Sequence, residues 1–193
     1  MKDKTFSREA ELLKAALAEF TTKSYDEASL NRILTNAQIS KGVFYYHFQD
    51  KEALYLYLLK QGVKAKWEFI SQAMQNVERD LESEDIFESF KLQARLGAQF
   101  AQVHPEYHLL SKMFAKEKGS PIYEKAKQEL GKGGEMASLE AMIVQSAEQG
   151  MFRDEFSLDF VIRIITHLFT NFDEIFSNEE DLELDQMIRN LDS

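Results

Sequence analysis

Ser40, Lys41, Gly42, Val43, Tyr46 and His47 stand together in one short run, SKGVFYYH, and Lys51 follows just beyond it. A hydroxyl, two ammonium groups, a phenol and an imidazole are the groups that hold phosphodiester oxygens, and a valine can meet the methyl of a thymine. Gly42 is costly in a helix, yet without a Cβ it lets the backbone come close to a partner. Tyr45, in the middle of the run, suits packing as well as contact. This is the chemistry of holding a charged polymer, and nothing in the run pairs a nucleophile with a base.

The apolar residues beside these groups specify what must position them. Ser7 is a plausible N-cap, after which Leu12, Leu13, Ala16, Leu17 and Phe20 recur at helical spacing to about Thr22, with Tyr25 as a core plug. Ser29 caps a second, short helix that turns Leu30, Ile33 and Leu34 inward, and Asn36 to Ile39 make a turn. Ser40 caps the third helix, in which Phe44 and Phe48 face the core and Lys41, Tyr46 and His47 face outward. Two short helices joined in this way form a helix-turn-helix, which lays its second helix in a major groove. Asp50 caps a long fourth helix, expected to reach about Glu82, with Glu52 at the positive end of its dipole.

Residues Leu12 to Phe20 (LLKAALAEF), Ser29 to Ile33 (SLNRI) and Ser40 to Leu54 (SKGVFYYHFQDKEAL) together resemble the TetR family of transcriptional regulators. The resemblance is dense over roughly the first 55 residues, and beyond them it extends only to length and helical architecture. It implies an all-α chain: a three-helix DNA-binding domain over residues 1–48, then a helical domain over residues 49–193 for ligand binding and dimerisation. It also implies a DNA-contact set of Ser29, Ser40, Lys41, Gly42, Val43, Tyr46, His47 and Lys51. Two positions depart from the family pattern, Ser24 and Gln38, where glycines are common. Either residue holds a left-handed backbone at a cost of about 1 kcal/mol, or the turn is rebuilt.

The net charge of -10 at first opposes DNA binding, but its distribution removes the conflict. Residues 1–60 carry 9 Lys and Arg against 8 Asp and Glu, leaving 14 against 25 for the rest. An acidic body repels phosphate and a near-neutral head does not, so DNA contact is expected at the head. The absence of Cys excludes disulfides and thiolate metal sites, and no signal peptide or membrane span is apparent, so a cytoplasmic protein is expected.

In the body the periodicity predicts helices at about Glu84 to Val103, Pro105 to Lys116, Pro121 to Gln149 and Leu158 to Phe176, and an acidic tail helix at Glu179 to Leu191. Pro105 and Pro121 fall where a first turn tolerates proline, and Gly131, Gly133 and Gly134 loosen the long helix that contains them. The family resemblance implies a small effector in this body. Trp67, Phe100, His104, Tyr107, Met113, Phe114 and Met142 are the residues expected to line its pocket, with Met136 beside them. His104 and His108 have metal-ligand spacing, but Pro105 lies between them and no Glu-x-x-His motif accompanies them, so no metal or other cofactor is expected. Phe156 to Phe176 is apolar over more than one stripe, which predicts a helix that buries a second face in a homodimer.

The expected function is a ligand-responsive repressor released by its effector from a near-palindromic double-stranded operator. Two other readings are a protein-interaction module that has lost DNA binding and a helical-bundle metal enzyme. The absence of a cysteine nucleophile and of a glycine-rich phosphate loop speaks against the enzyme.

Overall fold

The computed structural model describes residues 8–75, 86–131 and 155–170, together with 140, 143, 144, 146–148, 150 and 152. Every regular element among them is helical: α1 (Glu9–Phe20), α2 (Leu30–Ala37), α3 (Lys41–His47), α4 (Lys51–Gln75), α5 (Ile86–Val103), α6 (Pro105–Lys116), α7 (Pro121–Leu130) and α8 (Leu158–Thr170). Residues 140, 143, 144 and 146–148 are also helical. The fold is all-α, with an N-terminal helix-turn-helix followed by further helices.

The helix starts follow from side chains at their first turns. Ser29 accepts from Arg32 N–H, Ser40 from Val43 N–H, Asp50 from Ala53 N–H at 2.7 Å and Ser120 from Tyr123 N–H, so four donors that α-helices leave unpaired are satisfied. Pro105 and Pro121 open α6 and α7, where a missing N–H costs nothing. The first helix has Arg8 at its N-cap position without a side-chain cap bond, and Ser7 lies outside the described residues. The helix expected from Pro121 to Gln149 ends at Leu130, with Gly131 in the turn that follows it. Its remaining glycines, the end expected for α4 and the tail helix lie outside the described residues.

Two compact units divide the chain: residues 1–66 with 101–132, and residues 67–100 with 133–193. In the first unit, α1 packs on α2 and α6 around Leu12, Phe20, Ile33, Phe44, Tyr55 and Leu58, all essentially without solvent exposure. Full burial of such a side chain contributes roughly 1.5–3 kcal/mol, so this core supports the helix-turn-helix from beneath. Two ion pairs join α4 and α7 at its side, Lys60 with Glu129 at 2.9 Å and Glu52 with Lys125. In the second unit, Ile143 and Val161 are buried with Phe152, Ile162 and Ile165 against them, and the ring of Phe69 meets the edge of Phe100.

Candidate nucleic-acid interface

Helix α3 has one residue inside and the rest outside. Phe44 is 0% exposed and stacks on Phe48, which fixes the roll of the helix. Ser40, Lys41, Gly42, Val43 (41%), Tyr45, Tyr46 (85%) and His47 are exposed. Tyr46 is more exposed than Tyr45 or Val43. Its ring meets that of His47 edge-on at 4.9 Å, while Tyr45 leans its edge on Phe44.

Gly42 reports most clearly on what the face is for. A Cβ built there meets nothing within 4 Å, so no neighbour among the described residues requires a glycine. The helix bears the propensity cost of a glycine at a position with open space beside its Cα.

The turn before α3 is closed by a residue with a left-handed backbone. Gln38 has φ 54° and ψ 43°, and it is the one non-glycine at positive φ among the described residues. Its N–H bonds to the carbonyls of Leu34 and Thr35, and Ile39 N–H reaches Leu34 O at 3.0 Å, the six-to-one bond of a Schellman stop. Of the two positions where glycines are common in the family this chain resembles, Gln38 holds the left-handed backbone and Ser24 does not. The Gln38 carbonyl accepts from Arg8 Nη1 at 2.7 Å, so the start of α1 holds the turn.

Beneath α2 lies a charged centre that periodicity did not reveal. The Glu19 side chain is buried, at 6% residue exposure, and Oε1 accepts from Ser29 N–H (2.9 Å), Arg32 Nε (3.0 Å) and Lys23 Nζ (3.4 Å). Burial raises its pKa, but the Ser29 amide, Lys23 and Arg32 together outweigh that effect and hold the carboxyl below its ordinary value. Ser29 is therefore fixed twice, by its amide on Glu19 and by its hydroxyl on Arg32 N–H. The signal for this centre was Glu19 itself, an acid on the apolar stripe of α1.

Lys51 has partners within the protein. Its half-buried ammonium donates to the carbonyls of Tyr25 (2.7 Å) and Ala28 (3.0 Å) and lies 4.3 Å from the centre of the Tyr25 ring. A cation between two carbonyls and a ring face fixes the loop from α1 to α2. Ser29 and Lys51 thus both take part in holding the loop from α1 to α2.

The residues expected at an effector pocket divide between the two units. Trp67 and Phe100 belong to the second, while His104, Tyr107, Met113 and Phe114 belong to the first. There Phe114 stacks on Tyr123 at 4.8 Å, and Tyr107 covers Gly62 so closely that an added Cβ would lie 3.0 Å from its ring. Burial, with Glu106 nearby, raises the Tyr107 phenol pKa. Met142 and Met136 lie outside the described residues. No group of three or more His, Asp or Glu that could hold a metal occurs among the described residues, and no helix there is long and apolar enough to cross a membrane.

Residues 12–58 match the model of the bacterial regulatory proteins, tetR family. The HTH-type transcriptional regulator YerO of Bacillus subtilis (strain 168), itself uncharacterised, is 33% identical over 89 residues, which are 46% of this chain and 29% of that protein. The match thus spans less than a third of that relative's length. Among solved structures, one from Syntrophomonas wolfei described as a TetR-family regulator aligns with a TM-score of 0.71 at 19% identity, covering 95% of this chain and 90% of that one. The fatty acid degradation regulator FadR of Bacillus halodurans aligns with a TM-score of 0.65 at 14% identity, over 99% and 94%. At these identities the structures share a fold with this chain.

Proposed function

From a chain that carries the N-terminal domain of the tetR family of bacterial regulatory proteins, we propose a cytoplasmic, homodimeric transcriptional repressor that a small-molecule effector releases from its operator. The observation that carries this reading is the outer face of α3, where Lys41, Val43, Tyr46 and His47 stand exposed around a Gly42 with open space at its Cβ. Ser40, Lys41, Tyr46 and His47 take phosphate oxygens, Gly42 admits the DNA backbone and Val43 reads a base edge. Ser29 and Lys51 hold the frame from which that face is presented. No catalytic activity is part of this reading.

The body, taken as residues 49–193, supplies dimerisation and effector binding. Phe156, Leu158, Phe160 and Ile164 are 42–49% exposed on or beside α8 while Val161 is buried, so this helix has an uncovered apolar side that suits a second copy of the chain. A twofold dimer presents its two α3 helices to successive major grooves roughly 34 Å apart. An effector held by the body changes that separation. Phosphate contacts on both heads are then lost together. For this the effector must bind the released state more tightly than the operator-bound state.

Selection of binding duplexes from a random pool tests the reading. The expected product is an inverted repeat with half-sites one helical turn apart, bound by a species of twice the chain mass in light scattering. Failure to enrich any duplex would remove the reading.

A further inference from the structure

The loop from Thr21 to Ser29 has no helix of its own and leads directly into the cap of α2. Its centre is the Tyr25 residue, whose backbone is tied on both sides to groups from distant parts of the chain. The carbonyl accepts from Lys51 Nζ at 2.7 Å, and the N–H donates to Glu117 Oε1 at 2.6 Å. The Tyr25 ring is set against Tyr55 at 5.1 Å and stacks on Phe20 at 6.4 Å, so the loop cannot slide without repacking a core. Glu117 closes the C-terminal end of α6 and begins the turn to α7.

Resting on the DNA-binding reading, we propose that Glu117 is a positioning residue through which the end of α6 sets the pose of α2 and α3. Movement of α6 along its axis pulls on the Tyr25 amide or breaks the bond to it. In the first case α2 moves with its cap, and in the second the Tyr25 backbone loses one of its two ties. A charge-assisted bond to a backbone amide is short and directional, so the tether transmits displacement that an apolar contact would absorb. The tether demands a particular reach: a glutamate or glutamine spans the distance to Tyr25 N–H, and an aspartate, shorter by one methylene, does not.

That demand separates the tether from a role of charge alone. In the full-length chain, Glu117→Gln keeps an acceptor and loses the charge, whereas Glu117→Asp keeps the charge and loses the reach. Hydrogen exchange at the Tyr25 amide, followed by NMR, reads the bond itself. Affinity for the duplex selected by the wild-type chain reads its consequence. The tether predicts that Glu117→Asp accelerates Tyr25 exchange at least tenfold and weakens the duplex roughly tenfold, while exchange at Phe44 is unchanged. Glu117→Gln is expected to stay within about threefold of wild type in both. The reverse order of the two variants would overturn the proposal, as would fast Tyr25 exchange with undiminished affinity, which leaves the DNA-binding reading standing. A wild-type chain that binds no duplex overturns that reading and the proposal with it.

Discussion

Replacing Gly42 with alanine should change stability and DNA affinity in opposite directions. Gly42 is the second residue of α3, and a Cβ there meets nothing within 4 Å, so alanine introduces no clash in the free protein. A glycine inside a helix costs about 1 kcal/mol against alanine, and near a helix start about half of that is recovered, so the variant gains about 0.5 kcal/mol. For a chain of this length that gain corresponds to roughly 1–2 °C in Tm. On DNA the same methyl occupies the space through which the backbone is proposed to approach a phosphate. A loss of tenfold or more, about 1.4 kcal/mol, is the expected scale. Circular dichroism melting and fluorescence anisotropy with a selected duplex measure the two effects on one sample. Unchanged affinity would refute close approach at Gly42, and a lowered Tm would refute the claim that the protein leaves that space open.

Gln38→Gly should raise stability by about 1 kcal/mol by relieving a left-handed backbone, with duplex affinity held within about twofold because the Gln38 side chain is exposed. Thermal melting beside anisotropy reads both quantities. Lys41→Ala should reduce the slope of log affinity against log salt by about 0.9 with no change in Tm. Lys51→Ala, by contrast, leaves the Tyr25 and Ala28 carbonyls without their shared donor and should cost about 2 kcal/mol of stability, visible in urea titration. Glu19 has a folded pKa below its ordinary value of 4.5, so its stabilisation is fully present above that value and is lost as pH falls through the folded value. Glu19→Gln should therefore lose stability at neutral pH and show a flatter decline on acidification, measured by melting from pH 7 to pH 3.

Much of the head is legible in its residues because local rules and tertiary packing agree there. Ser29, Ser40 and Asp50 announce helix starts by their own side chains, and Phe44 stands where helical spacing turns a residue inward. Gln38 could be identified as the awkward residue of the turn, but the bond from Arg8 that holds it comes from 30 positions away, where no local pattern reaches. The centre at Glu19 and the Glu117 bond to Tyr25 were hidden for the same reason: they join residues 10 and 92 positions apart, and spacing rules carry no information at such range. Lys51 shows a different limit. Its residue type fits a phosphate, and only the fold reveals that two carbonyls already hold its ammonium. The effector set was the least legible part, since aromatic and Met side chains at helical spacing describe core and pocket equally well, as Phe114 on Tyr123 illustrates.

If the protein is a DNA-binding regulator of this kind, α3 is the surface that meets DNA. Backbone hydrogen exchange of the full chain, read by mass spectrometry with and without a selected duplex, addresses this directly. Protection concentrated in residues 38–48, with α8 unchanged, is the predicted result. Protection that leaves residues 38–48 untouched and falls elsewhere in the chain would contradict it.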